Sequence, residues 1–301
     1  GYDAEWEKEG VTATLQDRDS RIQIFTKQDG DIDMYSTSGA TVLSSMEWLL
    51  TGTEETRIVT GYAIKKGKHY NGYMQEAHHK GTTGSIVFRG TEALLNYMEA
   101  CVEKNGSVDG TADKYWRALR KRSLVNEDYM VTVNATDLNK EAEGDWGVYS
   151  KGQQVSSLLY NVRRERRNEL IGEGMRMADL KRWRALDQVK GYQVSGMRYW
   201  GSIYDGTLTV DGKDRCIVDV AGGTGNMSPK EDGVYVLPNR ITSVNNLVFD
   251  GYNWCEAHYL SPLAQSVFRQ TATGDKTDLN TSNVYQNPGW PLIDGQTPTG
   301  Y

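Results

Sequence analysis

The chain has 301 residues, 38 % hydrophobic and 25 % charged, which supplies a core and is far from a disordered composition. Its net charge of −6, with no basic block interleaved with aromatics, disfavours nucleic-acid binding. Cys101, Cys216 and Cys255 stand far apart with no CxxC pair, so neither a disulfide framework nor a zinc site is expected, and no apolar run is long enough for a transmembrane helix.

Residues 1–85 are polar and rich in Gly, Thr and Tyr, with little periodicity. The opening Gly1-Tyr2-Asp3, with no initiator Met and no secretory signal, reads as the interior of a longer protein. Residues 86–190 hold the helical patterns. Ala93, Leu94, Tyr97, Met98, Cys101 and Val102 recur at three- and four-residue spacing and predict a helix from about Arg89 to Glu103, stopped by Asn105-Gly106. A second helix starting near Asp109–Ala112 places Ala112, Tyr115, Trp116 and Leu119 on one face, and the short connection makes the two a hairpin. Residues 124–150 read as a long polar insertion, a loop carrying Trp146 and Tyr149. A third helix from about Val155 to Gly172 has the stripe Val155, Leu158, Leu159, Val162 and Leu170. A fourth, with Met175, Ala178, Leu180, Trp183 and Leu186, follows a tight turn at Gly172 and Gly174. Residues 191–301 return to loops and short strands, with one short helix reaching about Arg269 and a Pro288-Gly289 turn before Trp290.

These patterns predict a mainly α fold of tetratricopeptide-like helical hairpins, wrapped by long irregular loops with a few short strands. The expected organisation is one domain over 1–301, with its helical core at about 86–190 and loop-rich layers at 1–85 and 191–301.

The most informative stretch runs from Glu165-Arg166-Arg167-Asn168-Glu169-Leu170 through Glu173-Gly174-Met175-Arg176 to Asp179-Leu180-Lys181-Arg182-Trp183. It resembles the ER..EL..EG.R..DL.RW pattern of SusD/RagB proteins. Asp19-Ser20-Arg21 is similar to their Asp-Pro-Arg element, with Ser for Pro. Residues 88–100 look like their RYAEVLLNYAEA helix, with Gly90 and Thr91 departing from it. Tyr259-Leu260-Ser261-Pro262-Leu263 and Asn287-Pro288-Gly289-Trp290 look like their closing segments, with Ser261 interrupting the usual Phe-Pro pairing. The resemblance implies a surface-exposed outer-membrane protein, lipid-anchored in its full-length parent, that captures glycans for a SusC-like TonB-dependent transporter. It also implies that the N-terminal half of the family fold, with the lipid-bearing Cys, is absent here.

Glu165, Glu169 and Glu173 share a helix face at four-residue spacing and would repel one another unpaired. Arginines 163, 166, 167, 176 and 182 offer partners, so Glu165, Arg166, Glu169, Glu173, Arg176, Asp179 and Arg182 are read as a structural ion-pair lattice. A catalytic carboxylate pair, as in a glycoside hydrolase using Glu165 or Glu169, is the least favoured reading, because such pairs converge from separate elements in a cleft. His78 and His79 are adjacent and cannot face one metal together, although with His69 they offer a surface site. Gly222-Gly223-Thr224-Gly225 lacks a following Lys and reads as a loop. No metal, cofactor or catalytic residue is expected.

Eighteen Tyr and eight Trp against four Phe suit ligands with apolar faces and hydroxyl rims, although a given ring more often fills a core. The loop aromatics are Tyr35, Trp48, Tyr62, Tyr70, Tyr73, Trp146 and Tyr149, and these are the glycan-binding candidates. Trp48, within Met46-Glu47-Trp48-Leu49-Leu50, reads equally well as core. The alternative to glycan capture is a helical-repeat module that binds another protein and no sugar.

Overall fold

A computed structural model describes residues 3–44, 58–76, 79–84, 86–210, 213–214, 216–218 and 225–300. Trp48 and His78 lie outside the described residues, as does most of the Gly222–Gly225 stretch.

The first zone is more ordered than its composition predicts. After a 3-10 turn at Ala4–Glu9, short helices α1 (Val11–Thr14) and α2 (Ser20–Phe25) follow. Asp19 caps α2 by accepting from the Arg21 backbone N–H at 3.0 Å. Strands β1 (Ile32–Tyr35) and β2 (Thr41–Leu43) pair antiparallel, with Tyr35 opposite Thr41 and a register irregularity between Ile32 and Met34. Helix α3 spans Gly72–Glu76.

The central hairpin is α4 (Gly90–Asn105) and α5 (Gly110–Arg122). Gly106, at φ 66°, ends α4 in the left-handed region and donates to Val102 O. Asp109 starts α5 by accepting from the N–H groups of Thr111 and Ala112. The buried face of α4 is Thr91, Leu95, Met98, Glu99, Cys101 and Val102, whereas Ala93 and Tyr97 face outward. The predicted stripe was therefore rotated. Glu99 faces inward because Arg182 and Trp183 bind its carboxylate.

The expected loop at 124–150 is largely helical. Helix α6 (Tyr129–Ala135) is capped by Asp128, and α7 (Leu138–Ala142) by Asp137. Two-residue strands β3 (Tyr149–Ser150) and β4 (Gln153–Gln154) form a tight hairpin leading into α8 (Ser157–Glu169). Helix α8 ends three residues before the predicted Gly172. Lys66 Nζ donates to Glu169 O (2.7 Å) and Ile171 O (3.1 Å), so a cation takes the carbonyls at its C-terminus. Helix α9 is Arg176–Arg182, with Leu186 in a separate 3-10 turn.

Leu95, Met98, Val102, Ala112, Trp116, Leu119, Leu159 and Val162 form one core between α4, α5 and α8. Tyr129 of α6 stacks on Trp116 at 4.0 Å. A second core joins the first and third zones: Val11 and Ala63 pack with Met197, Tyr199, Tyr204, Met227 and Val236. Gly196 permits this closure, since a Cβ there would stand 2.4 Å from Thr60 O.

Strands β5 (Thr209–Val210) and β6 (Lys213–Asp214) form a third hairpin, and α10 covers Gln265–Thr271. Near the end of the chain, Asn287 Nδ2 donates to Ser261 O (2.6 Å), and Trp290 Nε1 is 2.9 Å from both Ala257 O and Leu260 O. The two closing motifs thus bind each other.

Candidate functional site

Strand β1 delivers Tyr35 to one end of its hairpin, where Ser36 N donates to Ala40 O to close the turn. Tyr35 N also donates to Tyr70 O at 2.7 Å, which lays residues 70–71 beside β1. Asn71 Oδ1 then accepts from Tyr73 N at 3.0 Å and starts α3. Gly72 is obligatory here: a Cβ would stand 2.8 Å from Tyr35 O. This local chain path brings Tyr35, Tyr70 and Tyr73 around one cleft of about 620 Å³, within the roughly 300–1,000 Å³ usual for ligand pockets. The three rings are 47 %, 42 % and 49 % exposed. Lys68, His69, Asn71, Ser36 and Thr37 complete the wall.

The polar groups of the wall are oriented. His69 Nδ1 accepts from Asn71 N at 3.1 Å, so in the neutral ring the proton sits on Nε2 as a donor. Lys68 and Lys27 both bind Asp33, the latter at 2.6 Å, and Lys65 binds Asp31 at 2.7 Å. Burial opposes ionisation of Asp33, yet the hydrogen bonds from Lys27 and Lys68 hold its carboxyl below the usual range.

The other candidate rings are elsewhere. Tyr62 OH lies 3.2 Å from Thr14 Oγ1. Trp146 is half-buried, edge-on to Tyr192 at 4.8 Å, and packs against Leu180 and Trp183. Tyr149 is half-buried in β3, and its carbonyl accepts from Arg163 at 3.1 Å. Lys68, His69 and Asn71 were not among the sequence candidates as ligand groups; the Lys/Gly/His-rich composition around Tyr70 was the available signal.

The acidic series is bound from far along the chain, Glu165 and Glu169 on α8 and Glu173 in the turn beyond its end, off the helix face expected for all three. Glu165 accepts on Oε1 from Arg21 (2.5 Å) and on Oε2 from Trp116 (3.0 Å) and Arg120 (3.3 Å). Glu169 pairs with Arg122 (2.5 Å), Arg89 (3.4 Å) and Arg21 (3.5 Å). Glu173 takes Lys66 (2.5 Å) and Arg89 (2.6 Å). None of these partners is one of the five arginines offered by the 163–182 segment. Those arginines bind other acids: Arg163 to Glu103, Arg166 to Asp179, Arg167 and Arg176 to Asp145, and Arg182 to Glu99 and Asp179. Burial opposes the charge of Arg21, but its bonds to Asp19 and Glu165 raise its pKa overall. Burial likewise opposes ionisation of Asp145, and Arg167 and Arg176 overcome it.

Two further clefts open on this network. One, of about 680 Å³, has Glu165 in its wall with Arg21, Arg120 and Arg164, but both Glu165 oxygens are engaged. The other, of about 520 Å³, includes Trp183, which is 4 % exposed and has the guanidinium carbons of Arg163, Arg182 and Arg176 within 5.6 Å of its ring. Other carboxylates lie along the walls of these clefts, among them Asp17 and Glu141 in the first and Glu103 in the second, and Glu141 and Glu103 are paired with Arg164 and Arg163. Among the described residues no His/Cys/Asp/Glu cluster suited to a metal occurs, and no helix is long and apolar enough to cross a membrane.

Helical hairpins locked by buried ion pairs, with exposed rings on the surrounding loops, define the mainly helical SusD-like class of fold. The model of the SusD family matches residues 3–290, and the chain belongs to that family. Members are typically non-catalytic binding proteins associated with the outer membrane. No curated protein and no solved structure matches the chain.

Proposed function

We propose that this protein binds glycans at the bacterial outer-membrane surface and passes them to a SusC-like TonB-dependent transporter, without catalysis. The tyrosine cleft is the recognition site. The observation that carries the reading is the gathering of Tyr35, Tyr70 and Tyr73 around one open cleft, each with a large exposed ring. Aromatic faces stack on the C–H faces of sugars, and the surrounding hydroxyl, amide and imidazole groups meet the hydroxyl rim. Membership of the SusD family supports the nutrient-binding part of the reading.

The ion pairs of Glu165, Arg166, Glu169, Glu173, Arg176, Asp179 and Arg182, made mostly with partners elsewhere in the chain, are scaffolding in this account. They tie α8 to α2, α4, α5 and α9 and engage the carboxylates of Glu165, Glu169, Glu173 and Asp179 with cations. Isothermal titration of the protein against a panel of polysaccharides tests the proposal. Saturable binding that Tyr70→Ala weakens is the expected result; no binding to any saccharide, or product release abolished by Glu169→Gln in a folded protein, contradicts it.

A further inference from the structure

We infer that the tyrosine cleft takes an acidic glycan, one whose sugars carry carboxylate or sulfate groups; this rests on the glycan-binding reading and narrows its substrate class. The chain as a whole is acidic, at −6, yet none of the described residues lining this cleft is Asp or Glu. Its charged wall residue is Lys68. Behind the wall Lys68 and Lys27 share a single carboxylate, Asp33, so two cations face one anion. The neighbouring pair Lys65–Asp31 is balanced and cancels. Lys80 adds a cation at the rim, with Nζ 5.9 Å from the Tyr73 ring centroid.

Two of the neutral groups, His69 and Asn71, have the same bias. His69 presents Nε2–H, because its Nδ1 is taken by the Asn71 backbone. Asn71 spends Oδ1 on Tyr73 N, which leaves its amide N–H groups to face a ligand. An ammonium, an imidazole N–H and an amide N–H only donate, and a carboxylate or sulfate only accepts. A neutral sugar hydroxyl must also place its own proton, for which this wall provides the hydroxyl oxygens of the tyrosines, Ser36 and Thr37. Burial lowers the Lys68 pKa, and the charge of Lys27 adds to this against Asp33, so a ligand anion would relieve a crowded cation.

The test is calorimetric titration of the full chain with four probes: oligogalacturonate, its methyl ester, a sulfated galactan oligosaccharide and its desulfated form. At about 50 mM salt, one acidic probe should bind roughly tenfold tighter than its neutral counterpart, with the margin shrinking at about 500 mM. The two acidic arms separate carboxylate from sulfate recognition. Lys68→Gln should bring the acidic probe down to its neutral counterpart, Lys68→Arg should keep most of the preference, and Tyr73→Ala should weaken acidic and neutral probes alike. Neutral glycans bound as tightly as acidic ones would overturn the inference and leave the glycan-binding reading standing. No binding to any saccharide would overturn both.

Discussion

Trp183 and Tyr73 are both large amphipathic rings beside cations, and they illustrate opposite uses of the same chemistry. Trp183 is 4 % exposed, ringed by three guanidiniums, with its N–H on Glu99 Oε1 at 2.5 Å. Tyr73 is 49 % exposed beside Lys68, His69 and Asn71. The network around α8 and α9 pairs its buried carboxylates within the chain, with Arg163 Nε the one buried nitrogen of its arginines left without a partner among the described residues. The cleft beside β1 holds some of its polar groups in reserve. A buried charge without a partner is costly, so the first region must be complete before any ligand arrives, whereas the second stays solvated until one does.

Breaking the network should therefore cost stability, and breaking the cleft should cost affinity. The largest effect is expected at Glu165. Glu165→Ala leaves the Trp116 N–H without an acceptor and takes the shared carboxylate from Arg21 and Arg120, which keep Asp19, Glu169 and Asn126 O, in a site only 3 % exposed; it should lower unfolding free energy by about 3 kcal/mol in urea melts. Acid should act on the same network next. Asp19, Asp145 and Glu173 are each held below the usual carboxylate range in the folded state, by Arg21, by Arg167 and Arg176, and by Arg89 with Lys66. Their stabilisation is present above the unfolded carboxylate values of about 4 and is lost as pH falls through the lower folded values. Thermal melts should stay flat from about pH 7 to 5 and drop steeply below about pH 4. A drop already complete at about pH 5 would contradict that assignment.

Effects in the cleft should be smaller and of another kind. Gly72→Ala forces a Cβ to 2.8 Å from Tyr35 O, so residues 70–73 must part from β1. A loss of about 1–3 kcal/mol in stability, with glycan binding abolished, is expected from denaturant melts and titration together. Tyr73→Ala should be the mildest for the fold, within about 0.5 kcal/mol in melting experiments, while weakening glycan binding roughly tenfold.

How much of this was legible in the sequence follows from contact distance. The helices around Met98, Trp116 and Val162 announce themselves by period, and their caps at Asp109 and Gly106 are local signals. Helices α6 and α7 escaped because each is too short for a period to show, although Asp128 and Asp137 stood at their N-caps. The acids of the series were visible, but Arg21 and Lys66 lie more than a hundred residues away, and no spacing rule reaches that far. The arginines nearby in sequence were the natural guess, and the fold assigns them to Asp145, Glu99 and Glu103, and to Asp179 within the same segment. In the cleft, the tyrosines could be named as exposed loop residues. Their convergence depends on the hydrogen bond from Tyr35 N to Tyr70 O, a pairing across 35 residues with no repeat or motif to mark it. Tyr62, Trp146 and Tyr149 sit elsewhere: the Tyr62 hydroxyl lies against Thr14, the Trp146 ring against Tyr192, and the Tyr149 carbonyl takes Arg163.

The most direct measurement is paired titration of Tyr73→Ala and Glu165→Gln against a saccharide that the unaltered protein binds, with a melt on each. Recognition by loop rings on a self-satisfied scaffold predicts that Tyr73→Ala loses affinity at unchanged melting temperature, and that Glu165→Gln melts earlier yet binds normally while folded. Undiminished binding by Tyr73→Ala, or lost binding by a folded Glu165→Gln, would place recognition on the helical network instead.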